Sequence, residues 1–487
     1  MPTKSTTFRS NTFSLLALAL ISVTLHPGCN EDKIRSLDTQ LSEANKRVEA
    51  FKKDAIDARN GIDDAKEKAR VAQQAAEDLR KQLASKQEDI DNLFGLKELG
   101  ADVKRDAEGN VVSVSLLSKP FTKEQFALLK NFPTVKEVYI DGPSISVDTF
   151  KVLKELPQLT KLEASVSGTN TECLQQLVGL KNLTYLQLKR TSVNDESMAV
   201  LAQYPSIQQI RVGQTKVGDE GLKYLEGKES ITALDLTDCN KVSDTGLAYL
   251  ATLPKLKMLK VWGKAITNKG LNSIGKISSL EVLGMNDTGI DDEGMQALNE
   301  LVNLKEVSFG RTGISDFGVM QLAGATKMQK MVLRDTNITD ESLKFIGKMK
   351  YLRDLDLSEC SSPGPTDIGI EELIGLENLT SINLWSTSVS DGAVAAISKM
   401  PQVTRLNLDA TKITDEAMQH LPKLENLTWL HIGSTKTSDK QIQFLYELKK
   451  LKYLNLSFTE ISFSDSIDDI YDKLKESTAK GCEIVGL

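Results

Sequence analysis

From Leu183 onward the hydrophobic and polar positions repeat in units of about 24 residues. Each unit begins with LxxLxLxxT and continues with leucines at helical spacing. The alternating first part predicts a short strand with buried leucines, and the second part predicts a short helix. Such self-similarity indicates a repeat architecture. The threonine position is occupied by Thr191, Thr215, Cys239, Lys264, Thr288, Thr312, Thr336, Cys360, Thr387, Thr411, Thr435 and Thr459, and fainter copies precede it at Ser167, Pro143 and Lys119.

The segment before the repeats has a seven-residue period instead. Apolar residues alternate at spacings of three and four from Ile34 to Leu93, and only Lys86 interrupts their stripe. The segment contains no proline and a single glycine, Gly61. One helix cannot bury such a stripe by itself, so the pattern predicts a long α-helical coiled coil over residues 29–93, with homo-oligomerisation through residues 34–93. The alternative is one long helix that folds back on the repeats.

The N-terminus has the pattern of an export signal. Lys4 and Arg9 precede an apolar run, which predicts a signal peptide over residues 1–28. The pair Gly28-Cys29 resembles the end of a bacterial lipobox, although that family prefers small aliphatic residues in the two positions before it. The resemblance implies lipidation of Cys29 and a membrane-anchored lipoprotein, in the periplasm or at the cell surface. The alternatives are ordinary secretion with cleavage nearby and an uncleaved signal anchor.

Two further resemblances concern the stalk and the repeats. Residues 29–34 with the alanine-rich seam that follows are similar to the short murein lipoproteins of bacterial outer membranes, which implies an oligomeric spacer. Residues 239–250 are the closest stretch to the cysteine-containing class of leucine-rich repeats, and this resemblance covers most of residues 113–460. It implies an α/β leucine-rich repeat solenoid, a horseshoe with strands on the concave side and helices on the convex side.

This fold needs caps at its ends, because a terminal repeat exposes core on one side. We assign the repeats to residues 119–463 and an N-terminal cap to residues 94–118, with a hairpin turn at 108–110. Residues 464–487 are expected to form the C-terminal cap, in which residues 483–485 add a last strand.

Each repeat also carries polar residues at fixed places. A Thr or Cys at the threonine position is expected to satisfy buried backbone groups of the loop. The aspartate that follows is expected to cap the N-terminus of its own helix rather than bind calcium. These aspartates are Asp219, Asp244, Asp292, Asp340, Asp391 and Asp415.

Composition and motifs argue against several function classes. A net charge of -7 and a pI near 5.4 are atypical of nucleic-acid binders, which usually carry a basic face. Three histidines and five scattered cysteines, without CxxC or HExxH spacing, predict no metal site, and we expect no cofactor. Cys239 and Cys360 are expected to be buried and inert. No nucleophile or phosphate-loop motif occurs, so we do not expect an enzyme.

The tryptophans give the main functional signal. Residues two, four and six positions before the threonine position point out of the core, and all three tryptophans occupy such positions. Random placement in a 24-residue period would put all three there on the order of one time in 500. Tryptophan is enriched at binding hot spots. A main patch is predicted from Trp385, Arg405, Asp409, Trp429, His431 and Tyr453, with Asn407 and Asn455 in the adjacent row. A second group is predicted from Lys260, Trp262, Asn286 and Arg334.

Together these features predict an envelope-anchored repeat protein that binds a protein partner through the concave face of its sheet. Three alternatives remain open at this point. The Trp and Arg side chains merely cover the sheet through cation–π contacts. The protein is a structural envelope spacer. The aromatic residues flanked by Asn and Asp bind carbohydrate.

Overall fold

The computed structural model describes residues 31–57, 62–360, 364–461 and 467–486. These residues form two compact units, one up to Glu137 and one from Val138 onward. The predicted signal peptide and the predicted lipidation site Cys29 lie outside the described residues. None of the helices in the described ranges is long and apolar enough to cross a membrane.

The first unit contains helices α1 (Glu31–Asp57) and α2 (Ile62–Glu98), which lie against each other. Four intervening residues span at most about 14 Å, so α2 cannot return to the start of α1 and the two helices run antiparallel. Leu41 and Ala76, both on the predicted stripe, are buried. The stripe is therefore shared by two helices of one chain rather than presented by one uninterrupted stalk. Glycine is a poor helix former, and Gly61 precedes α2. Self-association through residues 34–93 stays a prediction.

The end of α2 leads into a small α/β region of the same unit. Strands β1 (Asp102–Arg105) and β2 (Val111–Leu116) pair antiparallel, so the predicted hairpin is confirmed. Gly109 has a φ of 85° in its turn, a conformation that glycine adopts without strain. Helix α3 (Lys123–Ala127) and a 3₁₀ helix (Leu128–Asn131) follow, and the 3₁₀ helix packs on α2.

The second unit is a parallel strand–helix repeat, as the sequence predicted. From β4 onward each strand pairs in parallel with the next, so that Leu406 lies beside Leu430 and Leu430 beside Leu454. The predicted last strand pairs with β16. The strands are β3 Glu137–Asp141, β4 Lys161–Ser165, β5 Tyr185–Gln187, β6 Gln209–Arg211, β7 Ala233–Leu236, β8 Met258–Val261, β9 Val282–Gly284, β10 Glu306–Ser308, β11 Lys330–Val332, β12 Asp354–Asp356, β13 Ser381–Asn383, β14 Arg405–Asn407, β15 Trp429–His431, β16 Tyr453–Asn455 and β17 Glu483–Val485.

A short helix follows most strands. The helices are α4 Val147–Leu153, α5 Thr171–Gln175, α6 Asp195–Leu201, α7 Asp219–Lys223, α8 Asp244–Leu250, α9 Asn268–Ile274, α10 Asp292–Met295, α11 Asp316–Met320, α12 Asp340–Ile346, α13 Asp367–Glu371, α14 Asp391–Ile397, α15 Asp415–Met418 and α16 Ile467–Ser477, with 3₁₀ helices at Gln296–Leu298, Leu421–Lys423 and Asp439–Glu447. Their inward leucines and those of the strands form one continuous core, because each repeat covers the apolar side of its neighbour.

The threonine position has the role predicted for it. Thr336 Oγ1 donates a hydrogen bond to the carbonyl oxygen of Leu333 at 2.6 Å, and other threonines repeat this bond in their own repeats. Cys360 Sγ donates to the same Leu333 oxygen from the next repeat, at 3.0 Å. Cys239 and Cys360 are fully buried, as expected. In the repeats with Thr or Cys at the threonine position, this side chain therefore satisfies a carbonyl just after the strand.

The prediction for the aspartates is wrong. Asp244 is the first residue of α8, and the N-cap of that helix is Ser243. The carboxylate of Asp244 instead accepts hydrogen bonds from the next repeat, from the amides of Thr267 at 2.8 Å and Gly270 at 3.0 Å. Consecutive helices begin side by side, so this carboxylate reaches the free amides of its neighbour. Equivalent bonds to the following repeat are made by the other five predicted caps, Asp219, Asp292, Asp340, Asp391 and Asp415.

Candidate functional site

The outward side of the parallel sheet carries side chains from three positions of each repeat. Trp262, Trp385 and Trp429 are all half-buried there, and the last two contact long side chains of other repeats. Parallel strands keep one register throughout, so the same position of successive repeats forms a row along the sheet. Arg405, Trp429, His431 and Tyr453 lie on strands, whereas Arg334, Trp385 and Asp409 lie in the turns that directly follow their strands.

Arg405, Trp429 and Tyr453 form a stacked column along one such row. Strand pairing places Trp429 directly between the other two residues. The guanidinium of Arg405 lies 5.0 Å from the centre of the indole. Tyr453 stacks on the other side, with ring centres 5.1 Å apart and planes 5° apart. Both faces of Trp429 are therefore covered, and the column presents its edge outward.

His431 lies in the adjacent row and contacts the column edge-on. Its ring is 6.0 Å from that of Trp429, at an interplanar angle of 85°. Its Nε2 is 3.8 Å from Oδ1 of Asp409. Burial lowers the pKa of His431, and this effect outweighs the opposing influence of the Asp409 carboxylate and of a hydrogen bond with Asn455. The neutral imidazole is therefore favoured.

Trp385 is covered on one side by Arg334. The guanidinium of Arg334 lies 5.1 Å from the centre of the Trp385 ring and donates through Nε to Glu359. The sequence had grouped Arg334 with Trp262, but its long side chain extends towards the C-terminal repeats instead. Asn286, also assigned to that group, accepts hydrogen bonds from Ser308 and Gly310 and is thus engaged within the sheet. Lys260 and Trp262 are half-buried on the same outward side of the sheet.

A depression of about 370 Å³ lies between β11 and β15, beside the column. Arg405, Asn407 and Trp429 line one end of it, as the row arrangement predicts. Sequence reasoning missed several other lining residues, although a recurring Asn four positions before the threonine position was an available signal. The polar side chains missed at this site are Ser381, Asn383 and Asp356.

A second cationic–aromatic cluster lies on the outward side of β4 to β6. Lys161 Nζ is 4.6 Å from the centre of the Tyr185 ring, and the Arg211 guanidinium is 5.2 Å from the same ring. Glu163 forms an ion pair with Lys161 at 3.0 Å. These repeats lack tryptophan, so their sequence gave no signal for this cluster.

The arrangement offers hydrogen-bond donors, carboxylates and aromatic edges. Within the ranges that the structure describes, no group of His, Cys, Asp and Glu residues lies close enough to hold a metal ion. The chemistry available at this surface is recognition by contact, charge and hydrogen bonding.

Comparison with known proteins identifies the repeat. The sequence model of a family described as "leucine-rich repeat region" matches residues 220–485. No curated protein matched the chain.

Solved structures with similarity include an internalin from Listeria monocytogenes, with 17% identity, coverage of 80% of this chain and 94% of that chain, and a TM-score of 0.46. A leucine-rich repeat protein of Leptospira interrogans has 16% identity, coverage of 73% and 91%, and a TM-score of 0.39. The Arabidopsis receptor kinase HAESA, solved with the peptide hormone IDA and the co-receptor SERK1, has 15% identity, coverage of 74% and 72%, and a TM-score of 0.39.

Proposed function

The chain belongs to the leucine-rich repeat region family, and from this premise we propose that it binds a protein partner through the outward side of its parallel sheet. Leucine-rich repeat proteins generally mediate protein–protein interactions and are typically binding scaffolds rather than enzymes. The proposed binding surface is the C-terminal patch, defined as Arg334, Trp385, Arg405, Asp409, Trp429, His431 and Tyr453.

The observation that carries this proposal is the stacked column of Arg405, Trp429 and Tyr453 beside a polar depression. Aromatic and arginine side chains dominate the binding energy of protein interfaces when they are well packed and can be desolvated. Here the strands hold them in place before any partner arrives, so little side-chain entropy is lost on binding. Trp385 under Arg334 extends the same surface by a further strand.

The column favours a protein partner over carbohydrate. A sugar ring stacks on an open aromatic face, whereas Arg405 and Tyr453 already cover both faces of Trp429. A protein partner can instead use the exposed guanidinium of Arg405 and the polar residues around the depression. Cation–π covering and partner binding are compatible, since hot-spot side chains on a rigid surface are commonly held by their neighbours.

The proposal includes the location of the protein. The signal-like N-terminus and the lipobox-like Gly28-Cys29 support export and lipid anchoring at a bacterial envelope membrane, and the heptad seam supports homo-oligomerisation through residues 34–93. An oligomer joined through residues 34–93 would present several copies of the binding surface, and its avidity for a partner would exceed the affinity of a single surface. The competing function is a structural envelope spacer.

The test is a pull-down from envelope extract with the purified full chain and with a Trp385→Ala, Trp429→Ala double variant. Partner binding predicts a protein that the parent retains and the double variant loses. Phe317→Ala is the matched control, because this aromatic side chain is 71% exposed and lies on a helix, α11, rather than on the sheet. Circular dichroism checks that each variant is folded.

Three outcomes separate the alternatives. Loss of the partner in the double variant with retention in Phe317→Ala supports the C-terminal patch. Loss of the partner only in a Trp262→Ala variant would show that the binding surface lies near β8 instead. Identical retention in all variants, or no retained protein at all, contradicts binding through the patch and favours the structural spacer.

A further inference from the structure

Arg405 is exposed and its charge has no counterion in the described part of the chain. Its guanidinium stacks on Trp429, and no carboxylate among the described residues lies within ion-pair distance of it. The nearest acidic residue in its row, Asp354, is engaged with Lys330 Nζ at 2.6 Å. By contrast, Arg334 and Arg311, which follow β11 and β10, both have carboxylate partners. Arg405 thus keeps its fork of N–H donors available at the edge of the depression.

Two asparagines supply further donors beside Arg405. Asn383 Oδ1 accepts a hydrogen bond from the amide of Trp385 at 3.2 Å, and Asn407 Oδ1 accepts one from the amide of Asp409 at 3.1 Å. A backbone amide only donates, so these bonds fix each oxygen toward the backbone. The Nδ2 groups remain as donors, and both residues line the depression. Three donor groups therefore meet at the β13–β14 end.

The opposite end of the depression is lined by Lys330 on β11 and by Asp354 and Asp356 on β12, so its net charge is negative. Asp354 and Asp356 lie on β12, and Asp356 Oδ1 accepts hydrogen bonds from the amide and hydroxyl of Ser358 at 2.9 and 2.6 Å. Strands β12 and β14 are two spacings apart, which is about 10 Å. The depression is therefore polarised across the strands: Lys330 pairs with Asp354 at one end, which leaves the carboxylate of Asp356 there, and the unpaired donors lie at the other end.

We propose that the β13–β14 end of this depression binds a carboxylate side chain, an aspartate or glutamate of the protein partner. This inference rests on the proposed function. Arg405 pairs with the carboxylate through two parallel N–H donors, the geometry that guanidinium and carboxylate share. Asn383 and Asn407 donate to the same group or to the adjoining backbone carbonyl. The partner segment crosses the strands, so that its next side chains face Asp356.

The stacking on Trp429 prepares Arg405 for this role. A guanidinium that lies on an aromatic face keeps its edge free for in-plane hydrogen bonds while its position is fixed. Less conformational freedom is then lost when the carboxylate binds. The tyrosine on the far side of Trp429 holds the indole in turn. The column thus positions a single cationic group rather than offering an apolar surface.

The test uses the indole N–H resonances of the full ¹⁵N-labelled chain. The chain has three tryptophans, so Trp429→Phe assigns the resonance of Trp429. The titrants are the capped tetrapeptides Glu-Gly-Gly-Lys and Gln-Gly-Gly-Lys at millimolar concentration, whose first and last Cα atoms are about 10 Å apart when the peptide is extended. We expect the glutamate peptide to shift the Trp429 resonance and the glutamine peptide to leave it in place.

Two variants give the matched comparison. Arg405→Gln is expected to raise the Kd for the glutamate peptide by about tenfold, because it removes a charge-assisted pair. Arg211→Gln removes the same kind of stacked arginine from the same side of the sheet, over Tyr185, and is expected to leave the Kd unchanged. Equal losses in both variants would mean general charge attraction and would overturn the proposal.

Other results overturn it as directly. Binding of both peptides with equal affinity would show that the carboxylate is not recognised, and no shift with either would show that the site does not form. Inorganic phosphate is the competing anion, and tighter binding of phosphate than of the glutamate peptide would replace carboxylate recognition with an anion site. In these cases the parent chain can still retain, in the pull-down, a partner that the Trp385→Ala, Trp429→Ala double variant loses. The proposed function then stands, and only the proposal that Arg405 binds a carboxylate is rejected.

Discussion

The carboxylate of Asp244 and the backbone amide of Gly270 are joined by a hydrogen bond of 3.0 Å that links two consecutive repeats. Gly270 lies in the first turn of α9, so Asp244 caps the helix of the following repeat. The same relation joins Asp292 to Gly318 and Asp219 to Gly246. Each such pair satisfies helix amides that would otherwise lack a partner.

We predict that Gly270→Ala destabilises the protein, although alanine normally favours a helix. A Cβ at this position would lie 2.5 Å from Asp244 Oδ1 and 2.8 Å from Leu247 Cδ1. Overpacking of this kind costs about 1–3 kcal/mol. The free energy of unfolding, from urea denaturation followed by circular dichroism, is the measurement. Gly375→Ala is the control, since its Cβ would have no neighbour within 4 Å. Equal stability of both variants would contradict the close approach.

A second prediction concerns Asp316, which accepts hydrogen bonds from Thr339 and Ser342 of the next repeat. Burial raises the pKa of Asp316, but these hydrogen bonds outweigh it and the net pKa is lowered. A lowered pKa contributes stability above the unfolded value of about 3.9, which is lost as the pH falls through the folded value. We expect Asp316→Ala to cost about 0.5–2 kcal/mol at pH 7.

The pH dependence distinguishes this charge effect from simple loss of packing. The difference in unfolding free energy between the parent and Asp316→Ala should shrink as the pH falls below about 4, because the unfolded parent then takes up a proton on Asp316 that the folded parent binds only at lower pH. Urea denaturation at a series of pH values measures it. A difference that stays constant down to pH 3 would mean that the ionised carboxylate contributes nothing.

The strands, their register and their core were predictable because they follow from a local rule. Alternate residues of a strand face opposite sides, so the leucines two apart in each repeat identify the core and the residues between them the outward side. The same rule placed Arg405, Trp429 and Tyr453 in one row before their distances were known. Trp429 between two stacked neighbours is the direct result of parallel pairing.

The contacts that the sequence did not predict are made by side chains that extend from one repeat to another. An aspartate at the start of a helix usually caps that helix. Because α8 and α9 begin side by side, the carboxylate of Asp244 instead accepts hydrogen bonds from amides at the start of α9. Arg334 lies two repeats before Trp385 in the same row, and its stacking on Trp385 depends on side-chain length rather than on spacing. In the first unit the heptad pattern fits both a long stalk and the observed pairing of α1 with α2.

The titration of His431 gives a third prediction. Burial lowers its pKa below the usual value near 6.5 despite Asp409 and Asn455, so the folded protein binds this proton less readily than the unfolded chain. Stability from this group is therefore lost as the pH falls from about 6.5. NMR titration should give a midpoint below 6.5, and Asp409→Asn should lower it further because the attracting charge is removed. A higher midpoint in Asp409→Asn would contradict this balance.

The cysteines give the last prediction, because the four that the structure describes are all buried. Cys173, Cys239, Cys360 and Cys482 are all buried, and burial raises the pKa of each thiol. Thiolate is the reactive form, so iodoacetamide at pH 8 should leave these four unmodified in the folded chain and label all of them after denaturation. Mass spectrometry of the labelled peptides is the measurement. A free Cys29 would be labelled under both conditions, whereas a lipidated Cys29 would be labelled under neither. Rapid native labelling of Cys239 or Cys360 would instead mean that the repeats open.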